Sequence, residues 1–245
     1  MILRARDNAP VTRTIDLNAD LGEGGDGDAA LLSVVTSANV ACGFHAGDET
    51  TMRAACAAAA ARGVAIGAHV SYRDREGFGR RPLAIAPSVI EDETAEQILA
   101  LRACATRERA AVTYLKPHGA LYSRAAVDED CARAIVAGTT RAGGIRAVLC
   151  LPGSALLAEA EAAGLAPVDE AFADRGYLPD GSLVPRGTPG DLLGEDEAAL
   201  QAAAIAKQGR ARSLCVHGDS PGAVELATRV ARELRAAGFE LARFA

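Results

Sequence analysis

Short apolar runs alternate along this chain with longer stretches in which apolar positions recur every three or four residues. The short runs predict strands over 14–18, 39–42, 64–68, 111–115, 147–151, 166–171 and 213–216, with a weaker eighth over 240–244. The longer stretches predict helices over 29–37, 49–62, 88–109, 129–141, 154–163, 195–208 and 221–237. The punctuation agrees. Gly63, Gly143, Gly164, Gly209 and Gly238 follow helical patterns, as helix-ending glycines do. Ser220 precedes Pro221, an N-cap residue followed by proline at the first helical position.

Strands separated by helices read as parallel strands joined by crossovers. Seven or eight such units predict a (β/α) barrel over 1–245 as one domain, with an open doubly wound sheet as the competing architecture. Two connections are long, 70–87 and 174–194, and long connections without regular structure are usually functional. The Gly-rich run at 22–27 matches neither G-x-x-x-x-G-K-[ST] nor G-x-G-x-x-G ahead of a helix, and reads as a flexible loop.

Polar residues gather where the strands end. Asp16, Asn18 and Asp20 stand at the end of the first strand, Cys42, His45 and Asp48 after the second, and His69 after the third. Lys116 and His118 follow the fourth, Glu170, Asp174 and Arg175 the sixth, and His217 and Asp219 the seventh. A parallel barrel builds its site at this face, from the ends of several strands. Taken singly, each residue has a plainer explanation. Asp48 and Asp219 suit helix caps, Asp26 and Asp28 suit a loop or a cap, Cys42 suits a small buried position, and Lys116 suits a rim charge. The chain has only four histidines, and all four fall in these segments, which favours one shared site. Arg80, Arg81, Arg175 and Arg186 lie in the two long connections. Their guanidinium forks suit a carboxylate or phosphate, with surface ion pairing as the alternative.

Composition narrows the class. Of 245 residues, 49% are hydrophobic and 24% charged, an ordinary globular balance. Aromatics are 4% and Trp is absent, so Ala and other small aliphatics must fill much of the interior. The net charge is −6 and no basic cluster stands out, which argues against a nucleic-acid partner. No run of about 18 apolar residues predicts a membrane span. The opening MILRARDNAPVT lacks an apolar core, so no signal peptide is expected. Six cysteines form no C-x-x-C pair, so buried free thiols and a cytoplasmic location are expected.

In order along the chain stand IDLNADLGEG, ANVACGFHAGD, GVAIGAH, GFGRR, LKPHGALY, EAFADRGY, DGSLVPRG and CVHGDSPGAV. Through these segments, from residue 15 to about residue 224, the sequence resembles the LamB/YcsF family. It departs at Val70-Ser71, where the family more often has Pro-Ser. The resemblance implies a barrel of the glycosidase/deacetylase type. It also implies ATP-driven cleavage of 5-oxoproline to glutamate, in a complex with companion B and C subunits, with ATP as cosubstrate of the complex.

A five-membered lactam is a poor electrophile, and phosphorylating its amide oxygen would make the ring carbon open to water. Such a site needs a base, an acid and cations for anionic groups. The candidate base is Asp20 or Asp16, and the candidate acid is His69 or His118. Substrate binding falls to Asn18, His45, Lys116, Asp174, Arg175, Arg186 and His217. The chain has no Walker A loop, and its two lysines, Lys116 and Lys207, sit in no Gly-rich nucleotide motif. The activated lactam is therefore expected from the partners. Some deacetylase barrels open with Asn-Ala-Asp-Asp. Here Leu21 follows Asn18-Ala19-Asp20 and no H-E-x-x-H is present, so no tightly bound metal is expected. The alternatives are a metal-dependent deacetylase or glycosidase-like hydrolase, and a non-catalytic substrate-binding subunit.

Overall fold

The computed structural model describes residues 13–25, 27–218 and 222–245. Eight parallel strands alternate with helices. The strands are β1 (Arg13–Leu21), β2 (Ser37–Ala41), β3 (Ala65–Val70), β4 (Val112–Pro117), β5 (Ala147–Cys150), β6 (Ala166–Phe172), β7 (Ser213–Val216) and β8 (Phe239–Leu241). The helices are α1 (Asp28–Leu31), α2 (Glu49–Arg62), α3 (Pro87–Arg107), α4 (Gly119–Val127), α5 (Glu129–Ala142), α6 (Ala155–Ala162), α7 (Glu195–Gln208) and α8 (Ala223–Ala236). Strands β2 to β7 run in order, and β1 closes the ring between β7 and β2. β8 lies outside this ring, beside the first residues of β1, with Arg13 opposite Phe239 and Ile15 opposite Leu241. The result is a closed seven-stranded (β/α) barrel.

Period-two alternation on β1 sets the character of the interior. Ile15, Leu17, Ala19 and Leu21 belong to the main apolar cluster with the surrounding helices. Asp16, Asn18 and Asp20 face the other way, and all three are buried. The barrel is therefore apolar outside, beneath its helices, and polar within. At its base the polarity gives out. Tyr114 packs there with Ala65, Ala147, Leu149 and Val168, and Phe244 meets its ring edge to face at 5.0 Å. Gly67 makes room for that ring, since a Cβ at Gly67 would lie 2.1 Å from a Tyr114 ring carbon.

Helix ends follow the expected chemistry. Asp48 caps α2 through the Thr51 amide at 2.8 Å, and Thr51 answers the Asp48 amide at 2.7 Å. Gly63 and Gly209 close α2 and α7 in the left-handed conformation. All six cysteines are buried free thiols. No helix among the described residues is long and apolar enough to cross a membrane.

Several boundaries differ from expectation. β1, β3 and β4 extend two or three residues further, so Asp20, His69 and Lys116 lie within the strands. Their polar side chains point into the barrel, where the ladder continues unbroken. α1 is a single turn rather than the helix expected over 29–37, because the chain must turn back into β2 by Ser37. α4 was not expected at all. The cap at Ser220-Pro221, with Asp219 and Asp26, lies outside the described residues, and the first helical residue of α8 is Ala223.

Candidate active site

The polar interior is layered from the base to the mouth. Asp16 lies deepest, accepting hydrogen bonds from Ser37 at 2.6 Å, Thr36 at 2.7 Å and Ser213. Burial pushes its carboxyl up to about 6, against those three hydroxyl donors. Asn18 comes next. Its amide donates to Glu170 at 2.9 Å and Ser213 at 2.7 Å, and its carbonyl accepts from Asn39 at 2.7 Å. Above it, the Lys116 ammonium meets Asp20 and Glu170, each at 3.1 Å, and the Cys215 thiol at 3.0 Å. Lys116 is 2% exposed. Burial alone would lower its pKa, yet Asp20, with Cys215 and Glu170, holds it well above the ordinary value. In return, burial works to raise the Asp20 carboxyl, but His69 and Lys116 outweigh it and hold it well below the usual range.

The mouth carries a second cluster. The segment after β1 turns through Gly22, whose amide donates to Asp28 at 2.8 Å, and brings Glu23 in over the barrel. One oxygen of Glu23 lies 2.9 Å from His45 Nε2, 3.4 Å from His118 Nδ1 and 3.6 Å from His69 Nε2. His69 donates from Nδ1 to the Lys116 carbonyl at 3.0 Å, and His118 from Nε2 to the Phe78 carbonyl at 2.9 Å, since a carbonyl can only accept. The two remaining nitrogens, His69 Nε2 and His118 Nδ1, face each other at 3.0 Å. The His45 ring stacks on His118 at 3.9 Å. Burial, with His69 beside it, pushes His45 down to about 3, and burial with His45 and His69 pushes His118 well below its ordinary value.

The loop between β3 and α3 locks this cluster in place. Phe78 sets its ring edge against His45 and His118. Gly79 has φ +64°, and a Cβ there would lie 2.2 Å from the Ser71 hydroxyl and 3.0 Å from both the His118 ring and the His45 Cβ. The other long connection forms a small antiparallel hairpin, pairing Arg175 with Leu192 and Tyr177 with Leu183. Arg175 holds it together by donating to the Asp191 and Val184 carbonyls at 2.9 and 2.6 Å.

Between the two loops opens a cleft of about 540 Å³. Asp20, His69, Lys116, His118, Arg175, Arg186 and His217, all expected from the sequence, line it. Asp174 stands behind His217, accepting from its ring Nδ1 at 2.9 Å and from its backbone amide at 3.0 Å. Burial works to raise the Asp174 carboxyl, but His217 and Arg186 hold it below the ordinary value. His45 lies behind His118, Asn18 beneath Lys116, and Asp16 outside the cleft, four residues or about 13 Å below Asp20 along β1. Arg80 also lines the cleft, whereas Arg81 pairs with Asp74 and Glu76.

Residues 15–245 match the model of the LamB/YcsF family. Similarity to named relatives runs over nearly the whole chain. The 5-oxoprolinase A subunit of Streptomyces griseus is 54% identical over 94% of this chain and 100% of its own. That of Streptomyces coelicolor is 53% identical over the same shares. The chain belongs to the LamB/YcsF family. Among solved structures, the lactam utilization protein from Thermus thermophilus is 38% identical, with a TM-score of 0.86, over 94% of this chain and 100% of that one. The catalytic domain of a peptidoglycan N-acetylglucosamine deacetylase from Eubacterium rectale is 12% identical, with a TM-score of 0.57 over 99% of this chain and 93% of that one, a likeness of fold alone.

Within this family framework, the site residue that sequence reasoning missed is Glu23, while Glu170 was placed at its strand end without a role. Glu23 sits in the Gly-rich run, where no periodicity marks a buried side chain. Its one signal is a lone carboxylate directly after a strand, at the face where the histidines gather. Glu170 lies on β6, two residues before its end, and it alternates inward with Val168 and Phe172.

Proposed function

We propose that this chain opens the activated lactam ring as the A subunit of an ATP-dependent 5-oxoprolinase, working with B and C subunits in the cytoplasm. The near-full-length identity to proteins of that name carries the reading, and the cleft supplies the groups its chemistry needs. Partner subunits would transfer the terminal phosphate of ATP to the amide oxygen of 5-oxoproline, releasing ADP. In the cleft, Arg80 and Arg186 provide positive charge for the ring carboxylate and the phosphate.

Asp20, kept ionised by Lys116, takes a proton from water as its oxygen adds to the ring carbon. His217, oriented by Asp174, gives a proton to the ring nitrogen as the C–N bond breaks. The product of that step is γ-glutamyl phosphate. A second water then releases phosphate and leaves glutamate. His217 takes the acid role in place of His69 and His118, whose inner nitrogens face each other and Glu23 rather than an open volume. Asp16, below the cleft, is too far to reach the ring carbon, which leaves Asp20 as the base.

The test is release of glutamate and ADP from 5-oxoproline and ATP, measured with this chain alone and with the companion subunits added. Coupled release only in the complex is expected, and robust release by the chain alone would overturn the partner dependence. In the reconstituted complex, Asp20→Asn and His217→Ala should each lower glutamate release by more than about tenfold, since positioned acid–base groups contribute about 10²–10⁴. Near-normal turnover by either variant, with native circular dichroism and melting, would remove that residue from the mechanism.

A further inference from the structure

We propose that Glu23, His45, His69 and His118 form a binding site for one divalent transition-metal ion, with zinc the best fit. The inference stands on the cluster's own geometry, whether or not the chain acts on 5-oxoproline. Each residue offers a donor atom, and these atoms all lie within 4.8 Å of one another. Three contacts among them measure 2.9, 3.0 and 3.4 Å. Zinc bonds of about 2.0–2.2 Å set tetrahedral ligand edges of about 3.3–3.6 Å, so the cluster is close to ligand spacing before any ion is bound. Imidazole and carboxylate are the ligand types that zinc takes.

Hydrogen bonding in the cluster points the same way. A ligating histidine almost always donates its second ring N–H to a carbonyl or carboxylate, which fixes its tautomer. His69 does so to the Lys116 carbonyl, and His118 to the Phe78 carbonyl. Their inner nitrogens are then both lone pairs, 3.0 Å apart. Two lone pairs at that distance repel unless a cation, either a proton or a metal ion, sits against them. His45 presents Nε2 to the cluster, 2.9 Å from Glu23, and its second nitrogen, Nδ1, is buried without a hydrogen-bond partner, so it does not share the outer contact that His69 and His118 make.

A proton between two nitrogens serves only that pair, whereas one divalent ion can meet Glu23 and all three imidazoles together, since their donor atoms all lie within 4.8 Å of one another. Rigidity is already built in, because Phe78 packs against the His45 and His118 rings and Gly79 against the His118 ring and the His45 Cβ. When bound, the ion would act as a Lewis acid beside the cleft that Asp20 and His118 share. The expected lack of a tight metal rested on Leu21, whereas the carboxylate that meets the histidines is Glu23, two residues further on.

The experiment uses the full chain, stripped by chelation and checked by circular dichroism, and titrates it with Co²⁺ alone. Visible absorption distinguishes intense tetrahedral bands from weak octahedral ones. The expected result is one equivalent bound with tetrahedral absorption, displaced by Zn²⁺, and one zinc per chain by elemental analysis of protein purified without chelator. Glu23→Ala and His118→Ala should each weaken Co²⁺ binding by more than about 100-fold, beyond the 10–100-fold typical of losing an outer partner of a ligand. Asp16→Asn, at the base of the barrel, should bind as the wild type does. Glu23→Gln, the same shape without charge, covers the case in which Glu23→Ala misfolds. No saturable binding by the folded chain overturns the proposal, as does octahedral binding that Glu23→Gln and His118→Ala leave unchanged.

Discussion

Asp16 offers a quantitative test of how the barrel interior handles charge. Its carboxyl is fully buried, and that burial lifts it from 3.8 to about 6. A carboxyl so raised holds its proton more tightly in the folded protein than in the unfolded chain. Between about pH 4 and about pH 6 the folded state therefore binds more protons, and stability falls as pH rises, by about 1.4 kcal/mol per unit. Above that window the loss is complete, at about 3 kcal/mol, and pH has no further effect through this group. Asp16→Asn cannot titrate, and its amide still meets the Ser37, Thr36 and Ser213 hydroxyls, which rotate to donate or accept.

Urea unfolding of wild type and variant, followed by circular dichroism at about pH 5 and about pH 7.5, isolates the term. Over that interval the wild type should lose about 1.4 kcal/mol more than the variant, because half of the total has already gone by pH 5. Carboxylates with lowered values, Asp20 and Asp174 among them, act at lower pH and are common to both proteins, so they cancel in the difference. Two parallel stability curves, offset by a constant, would refute the reasoning. They would mean that the three hydroxyls hold Asp16 ionised in spite of its burial.

Other perturbations test other parts of the interior. Gly67→Ala drives a methyl into the Tyr114 ring, and should cost about 1–3 kcal/mol with a fall in Tm of about 2–4 °C per kcal/mol, read by thermal melting. Lys116→Met leaves Asp20 and Glu170 without their ammonium and should cost about 3–5 kcal/mol by chemical denaturation. Adding Glu170→Gln to Lys116→Met should restore part of that loss, and strict additivity of the two changes would show that they are not coupled. Gly79→Ala strains a left-handed backbone packed against the His118 ring and the His45 Cβ, so it should weaken Co²⁺ binding in the titration described above while leaving the melt of the barrel largely in place.

Much of the fold was legible because each strand buries one face under helices, and that face reads as an apolar run. α2 and α7 match the expected helices from first to last residue, since glycine ends each and a polar or acidic first turn opens each. α4 was hidden. It starts at Gly119, directly after Pro117 and His118, with no side-chain cap, and so resembles a loop opening. The strand ends were underestimated for a related reason. Asp20, His69 and Lys116 look like loop residues in one dimension because strands of ordinary barrels are apolar on both faces. Here the inner face is polar, and only the partners across the barrel reveal that these side chains are buried. The gathering of the histidines was visible from their positions alone. Their carboxylate partner was not, because Glu23 is recruited by tertiary folding of a Gly-rich segment, with Asp28 fastening its start.

The layering also explains how two kinds of chemistry coexist in one narrow barrel. The base is closed by Tyr114 and Phe244, and there the single carboxyl, Asp16, is driven toward its neutral form. One layer higher, Lys116 joins β1 to β6 by holding Asp20 and Glu170 together, and the same contact keeps Asp20 ionised where the cleft begins. The mouth divides into two halves. Glu23 and three imidazoles gather on the side of β2 to β4, and the Asp174–His217 pair stands on the side of β6 and β7. Asp20 touches the first cluster through His69, at 3.4 Å, and lines the cleft beside His69 and His118. A change in the charge of the imidazole cluster therefore acts directly on Asp20, and loss of Lys116 would free Asp20 to respond to it.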